Sequence, residues 1–137
     1  MLVKNPKLAI IVPYRNREEH LARFVPHMEE FLSDKDIEYK IFVIEQDNDK
    51  PFNRGWLLNV GFEISQKQGY DYFCFHDIDM LPEDNSCDYS WVEKPTHLAS
   101  RLSKFRYRLV YAEYIGGVTL FNKEHFTYIN GFSNKYW

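Results

Sequence analysis

Cysteine is scarce. Cys74 and Cys87 stand outside any Cys-x-x-Cys spacing, which removes a zinc-ribbon cluster and a disulfide framework from consideration. Two free thiols in a reducing compartment is the expectation they leave. A basic surplus is also missing. Seventeen Lys and Arg face 20 Asp and Glu, for a formal charge of −3, the wrong sign for a protein that grips a nucleic-acid backbone. No apolar stretch approaches the ~20 residues of a membrane span, and the longest, Leu8 to Val12, has the size of a strand. The first residues, Met-Leu-Val-Lys-Asn-Pro-Lys, lack the apolar core of a signal peptide. Glycine and proline number only six each and are scattered as punctuation, without repeats or low-complexity segments. There is no Ser-His-Asp order, Gly-x-Ser-x-Gly elbow or Walker loop, so acyl transfer and P-loop hydrolysis find no support. The expectation is a soluble chain with no membrane segment and no nucleic-acid partner.

What is present is a single-domain length, 137 residues, with 45% hydrophobic and 27% charged residues. At that size roughly two-thirds of the unfolded surface can be buried, so no staple is required. Aromatics reach 18%, which is high, and rings exposed in a cleft offer stacking faces.

Leu8-Ala-Ile-Ile-Val12 is apolar at every position, as in a strand covered on both faces, and Pro13 ends it. Asn16 reads as an N-cap, with Glu19 completing a capping box. Leu21, Phe24, Val25, Met28, Phe31 and Leu32 follow at helical spacing, and Pro26 predicts a kink. Tyr39 to Ile44 is a second strand; Leu57, Leu58, Gly61, Phe62 and Ser65 mark the inner face of a second helix; Tyr70 to Phe75 is a third strand. This alternation predicts right-handed crossovers and an open, mainly parallel α/β sheet flanked by helices. Further on, Pro82 to Pro95 reads as a polar loop. Thr96 to Ser100, Leu109 to Tyr114 and Gly117 to Phe121 read as strands. Asn122 caps a short helix from Lys123 to Ile129, stapled by Phe121 and Phe126 and closed by Gly131.

In such a sheet, ligands bind outside the carboxyl ends of the strands. That rule makes neighbours of three unusual segments, Pro13-Tyr-Arg-Asn-Arg17, Pro51-Phe-Asn-Arg54 and His76-Asp-Ile-Asp79. Asp77 and Asp79, at i and i+2 on an extended strand, would present both carboxylates on one face with Ile78 on the other. Two hard oxygens suit Mg²⁺ or Mn²⁺, although Asp is also a common turn former at strand ends. Arg15, Arg17 and Arg54 nearby tip the balance toward a metal and a diphosphate that the guanidinium groups grip in bidentate fashion. Phe52 either stacks on a nucleobase or packs under its loop. His76, at the end of a buried strand, is better explained as a satisfied core histidine than as a ligand. Gly116-Gly117, preceded by Tyr111, Tyr114 and the basic stretch around Lys104, would line a sugar or phosphate site or form a twisted hairpin; spacing alone leaves both open.

Together these segments resemble the β-1,4-galactosyltransferases. Pro13-Tyr-Arg-Asn-Arg17, Phe52-Asn-Arg54, Asp77-Ile-Asp79, Tyr114-Ile-Gly-Gly-Val118 and Asn130-Gly-Phe-Ser-Asn-Lys-Tyr-Trp137 occur in the family's order, over about Lys7 to Trp137. His76-Asp-Ile-Asp79 and Val25-Pro-His-Met28 are more similar to the branch that galactosylates xylose than to the branch acting on N-acetylglucosamine. The resemblance implies a GT-A fold, a UDP-galactose donor, a carbohydrate acceptor, Mn²⁺ (or Mg²⁺) and inversion at the anomeric carbon. By position it implies that Pro13, Arg15, Arg17, Phe52 and Arg54 hold the uridine diphosphate, and that Asp77 contacts the nucleotide. Asp79 would ligate the metal; Lys104, Tyr114 and Gly117 would line the donor site, with Tyr111 facing the acceptor. Tyr14 stands where Phe is commoner, and Gly55-Trp56 follows Arg54 where Ala is usual.

Family members continue past the position of Trp137 into a Gly-Trp-Gly-x-Glu-Asp-Asp segment and a later His-containing stretch, which supply the catalytic base and complete the metal shell. The expectation is therefore a single GT-A-like nucleotide-sugar-binding domain over 1–137, the donor-binding portion of a longer galactosyltransferase, truncated before those segments and inactive alone. No catalytic residue is assigned within it. The alternative is a non-catalytic nucleotide-sugar or glycan-binding fragment. A phosphoaspartyl-type phosphotransferase is disfavoured, because such enzymes carry their Asp-x-Asp after the first strand. The expected compartment is cytoplasmic for a bacterial or viral source and the Golgi lumen for a trimmed animal enzyme.

Overall fold

The computed structural model describes residues 5–82, 87–98 and 117–128. Its elements are β1 (Lys7–Tyr14), α1 (Glu18–Leu32), β2 (Glu38–Glu45), α2 (Arg54–Lys67), β3 (Tyr72–His76), β4 (Thr96–His97), β5 (Val118–Asn122) and α3 (Lys123–Tyr128). The five strands form one sheet in the order β2-β1-β3-β5-β4. β1 is parallel to both β2 and β3, whereas β5 is antiparallel to β3 and to β4. The expected parallel half is there, extended by an antiparallel return into a mixed GT-A-like sheet.

Side-chain alternation along the central strands explains why they read as continuous apolar runs. Leu8, Ile10 and Val12 of β1, Tyr72 and Cys74 of β3, and Val118 and Leu120 of β5 belong to one core with Phe24, Met28 and Leu32 of α1. Ala9 and Ile11, Phe73 and Phe75, and Phe121 belong to the other, with Leu58 and Phe62 of α2 and Phe126 of α3. A strand sandwiched between helix layers has no solvent face, so its alternation carries no polar residues. All five positions expected on the inner face of α2, Leu57, Leu58, Gly61, Phe62 and Ser65, are buried. Gly61 lets the helix approach β1 closely, because a Cβ there would lie 2.4 Å from Ile11 Cγ2.

Local expectations fail at two points before the site. β1 runs through Pro13 to Tyr14 rather than ending at Pro13. Its pairing with β3 stops at Ile11, so beyond that point it has one neighbour and tolerates a residue without an N–H. Asn16 does not cap α1. It adopts a left-handed φ of 54°, Arg17 occupies the cap without a side-chain bond, and the capping box with Glu19 is not made. α1 includes Pro26, where a kink is expected, within its span. Asn122 does cap α3, accepting from the His125 N–H at 2.9 Å, and the Phe121 and Phe126 rings meet at 5.5 Å. Gly131 and the strand expected over 109–114 lie outside the described residues. No helix among the described residues is long and apolar enough to cross a membrane.

Candidate functional site

β2 and β3 flank β1 on opposite sides, so the chain reverses direction across the sheet at β1. A crevice opens where the connections leaving β1 and β3 diverge. Pro13, Arg15, Asn16, Arg17, Phe52, Asp77, Ile78 and Asp79 line it, around a volume of about 470 Å³. The three segments singled out in the sequence thus share one rim.

Arg15 faces the loop that follows β2. Its Nη1 donates to the carbonyls of Asn48 at 2.9 Å and Lys50 at 2.6 Å. Its guanidinium lies 5.6 Å from the centre of the Phe52 ring, a cation–π contact that holds the ring at the crevice. Phe52 is 42% exposed, which is high for a phenylalanine, and its face is available for stacking. Arg17 is exposed at the start of α1. Pro13 is buried behind them at the end of β1.

The two aspartates differ sharply. β3 ends at His76, so Asp77 and Asp79 are not on one face of an extended strand as expected; they sit in a turn closed by the Met80 N–H donating to the Asp77 carbonyl at 3.3 Å. The parallel pairing with β1 ends at Phe75, and beyond it Asp77 is held by the segment that leads into β5. The Asp77 N–H donates to the Gly117 carbonyl at 2.7 Å, and the Gly117 N–H donates to Asp77 Oδ2 at 3.0 Å. Gly117 has a φ of +92°, a conformation natural only to glycine. Asp77 Oδ1 accepts from Arg54 Nε at 2.6 Å. Both carboxylate oxygens of Asp77 are therefore engaged, and Arg54 meets the crevice through Asp77 instead of lining it. Asp79 is exposed and makes no hydrogen bond or ion pair among the described residues. Lys104, Tyr111 and Tyr114 lie outside the described residues.

His76 supports the turn from below. It is fully buried. Its Nδ1 lies 2.9 Å from the Asp77 carbonyl and its Nε2 2.9 Å from the Tyr89 hydroxyl. A carbonyl can only accept, so Nδ1 carries the proton and Nε2 accepts from Tyr89. Burial pulls the imidazole down to about 4 and Arg54 adds to that, against the Asp77 carbonyl bond and Asp79. This is the satisfied core histidine that its place in the sequence suggested.

A divalent cation fits this donor set in one way. Asp79 offers one unengaged hard oxygen at the crevice, and no cluster of three or more ligating side chains exists among the described residues. One carboxylate is what a Mg²⁺- or Mn²⁺-type ion takes when phosphate oxygens and water supply the rest. Arg15 and Arg17 line the crevice and Arg54 offsets the charge of Asp77 from behind it, which leaves positive charge for a polyphosphate.

Sequence reasoning missed Gln46. It is 1% exposed and sits inside the loop that carries Phe52. A polar residue just past a strand gives no signal of burial by itself.

Residues 3–91 match the family described as the N-terminal region of glycosyl transferase group 7, and residues 96–137 match the N-terminal domain of galactosyltransferase. The chain belongs to the β-1,4-galactosyltransferase family. Human beta-1,4-galactosyltransferase 4 is 45% identical to it over 132 residues, which is 96% of this chain and 38% of that protein. Rat beta-1,4-galactosyltransferase 6 is 43% identical over 96% of this chain and 35% of its own length. The chain thus spans little more than a third of the curated galactosyltransferases it matches. Among solved structures, the catalytic domain of Drosophila beta1,4galactosyltransferase 7 in complex with xylobiose superposes with a TM-score of 0.82 at 37% identity, covering 96% of this chain and 55% of that one. A variant of that enzyme in complex with manganese, UDP-Gal and xylobiose gives 0.86 at 39% identity with the same coverage. The GT-A fold of this galactosyltransferase-family chain is shared with those domains.

Proposed function

We propose that the chain is a single nucleotide-sugar-binding domain of a glycosyltransferase that moves galactose from UDP-galactose to a sugar hydroxyl, with inversion and with a divalent metal. The observation that carries this is the meeting of Arg15, Arg17, Phe52 and Asp79 at one crevice, with Asp77 tied behind them to Arg54. Phe52 gives a base a face to stack on. Arg15 and Arg17 supply charge for the diphosphate, and Asp79 would hold the metal. That ion, when bound, neutralises charge on the departing diphosphate. The residues of the crevice do the rest by binding and orienting the donor, so that the leaving group enters a positive environment already in place.

The acceptor we assign is a xylose-containing sugar. The His76-Asp-Ile-Asp79 and Val25-Pro-His-Met28 segments favour it, and the solved relatives in complex with xylobiose support it. An inverting transfer also needs a base at the acceptor hydroxyl. Among the described residues of the crevice, Asp77 is engaged and Asp79 is the residue that would hold the metal, which favours a second reading, a donor-binding unit without turnover.

The deciding experiment is thermal unfolding of the chain with UDP, Mn²⁺, or both, followed by an assay for galactose transfer to xylose and N-acetylglucosamine acceptors. The donor reading predicts that UDP and Mn²⁺ together raise Tm more than either alone. No shift would overturn it. A shift without transfer to either sugar selects the second reading, and transfer to N-acetylglucosamine in preference to xylose overturns the acceptor assignment.

A further inference from the structure

The loop between β2 and α2, residues 46–53, has no regular secondary structure, yet it carries Phe52 to the crevice. Its conformation is organised around one buried side chain. Gln46 Oε1 accepts from the Asn53 N–H at 2.8 Å. Gln46 Nε2 lies 3.0 Å from Asn48 Oδ1, 3.2 Å from the Lys50 carbonyl and 3.1 Å from the Pro51 carbonyl, so its two hydrogens are shared among three acceptors. The orientation of the amide follows from these partners, since the carbonyls require donors and the Asn53 N–H requires an acceptor.

The backbone of Gln46 is fixed as well, because its N–H donates to the Tyr14 carbonyl at 3.0 Å and extends the β1–β2 ladder by one step. The loop is then closed from the crevice side by Arg15. The Lys50 carbonyl receives both Arg15 Nη1 at 2.6 Å and Gln46 Nε2 at 3.2 Å, and Asn48 Oδ1 also accepts the Lys50 N–H at 3.0 Å. Asn53, held by Gln46, is itself the cap of α2, accepting from the Trp56 N–H at 3.0 Å. One neutral amide thus fixes the residues on either side of Phe52 and the first turn of the helix that begins with Arg54.

We infer that Gln46 is the positioning residue of the nucleotide site: it holds the loop so that the Phe52 face is set before a base arrives. This rests on the donor-site reading above. Only a neutral amide of this length offers an acceptor and donors at once. A glutamate keeps the bond to Asn53 and turns one repelling oxygen toward the Lys50 and Pro51 carbonyls and Asn48 Oδ1, and a methionine fills the space with neither donor nor acceptor. Ordering a loop at the moment of binding subtracts from affinity, so a loop ordered in advance binds its ligand more tightly.

The test uses the full chain with Gln46→Met and Gln46→Glu. UDP and inorganic pyrophosphate, each with Mn²⁺, are titrated calorimetrically, and amide hydrogen exchange is followed over 47–53. Since the amide sets the Phe52 face directly and reaches the diphosphate only through the Lys50 carbonyl it shares with Arg15, both variants should weaken UDP by about tenfold and pyrophosphate by no more than about twofold, with faster exchange confined to the loop. A parallel loss of both ligands would mean general destabilisation and overturns the inference, as does an unchanged UDP affinity or unchanged loop exchange. If Gln46→Met fails to fold, Gln46→Glu alone decides by the same comparison. A parent chain that binds pyrophosphate but not UDP overturns the donor-site reading itself, and is recognised from the parent's own titration.

Discussion

Arg54 donates from Nε to Asp77 Oδ1 at 2.6 Å, joining the first residue of α2 to the turn after β3. The two side chains are 28% and 26% exposed, so the pair is partly withdrawn from water and its loss leaves a charge without compensation. Arg54→Ala and Asp77→Ala should each cost roughly 2 kcal/mol in urea unfolding. The double variant should cost at least about 1 kcal/mol less than the sum of the two. Additive losses would mean that the pair contributes nothing as a pair.

Asp79 should behave in the opposite way. It is exposed and unengaged among the described residues, so Asp79→Asn is expected to leave stability within about 0.5 kcal/mol of the parent. The additional Tm rise produced by Mn²⁺ in the presence of UDP should vanish in the same variant, because an amide is a poor ligand for a hard cation. A retained metal response in Asp79→Asn would move the metal to another residue.

The contrast between these aspartates marks the boundary of what the sequence made legible. Periodicity was enough for the inner face of α2 and for β1, where burial on both sides erases the polar alternation. The rule for open sheets was enough to gather three loops at one rim. It could not foresee that β5 returns antiparallel and that the Gly117 N–H takes one Asp77 oxygen, since that contact joins residues 40 positions apart. The cap at Asn16 failed for a related reason. A cap needs extended backbone, and the chain passes through the left-handed region there to bring Arg15 and Arg17 to the crevice. Gln46 was illegible because its burial is created by the loop folding around it.

Gly61 and Gly69 separate two costs of losing a glycine. Ala is the better helix former by about 1 kcal/mol, so Gly61→Ala would stabilise α2 in isolation. In the fold its methyl would lie 2.4 Å from Ile11 Cγ2 and 3.2 Å from Ile44 Cγ1, and overpacking of that kind costs about 1–3 kcal/mol. Net destabilisation is expected. Gly69 has open space around a would-be Cβ but a φ of +91°, so Gly69→Ala should cost about 1 kcal/mol through backbone strain alone. Combining each variant with Ile11→Ala, which removes Cγ2, tells them apart, because the two losses should be less than additive for Gly61 only.

His76 should make the fold sensitive to mild acid. Its native value is pulled down to about 4 by burial, against 6.5 for an unperturbed imidazole. Between those values the unfolded chain takes up a proton that the native state refuses, so the contribution is fully present above pH 6.5 and is lost as pH falls toward 4. The whole span is worth on the order of 3 kcal/mol, and about 2 kcal/mol of it should be gone by pH 5. Protonation would also put an N–H where Nε2 now accepts from the Tyr89 hydroxyl, so that hydroxyl would have to rotate and accept instead. Urea unfolding of the parent and of His76→Gln from pH 7.5 to 5 isolates the effect. The variant starts less stable but should have the flatter profile, and equal slopes in the two proteins would show that the acid sensitivity arises elsewhere.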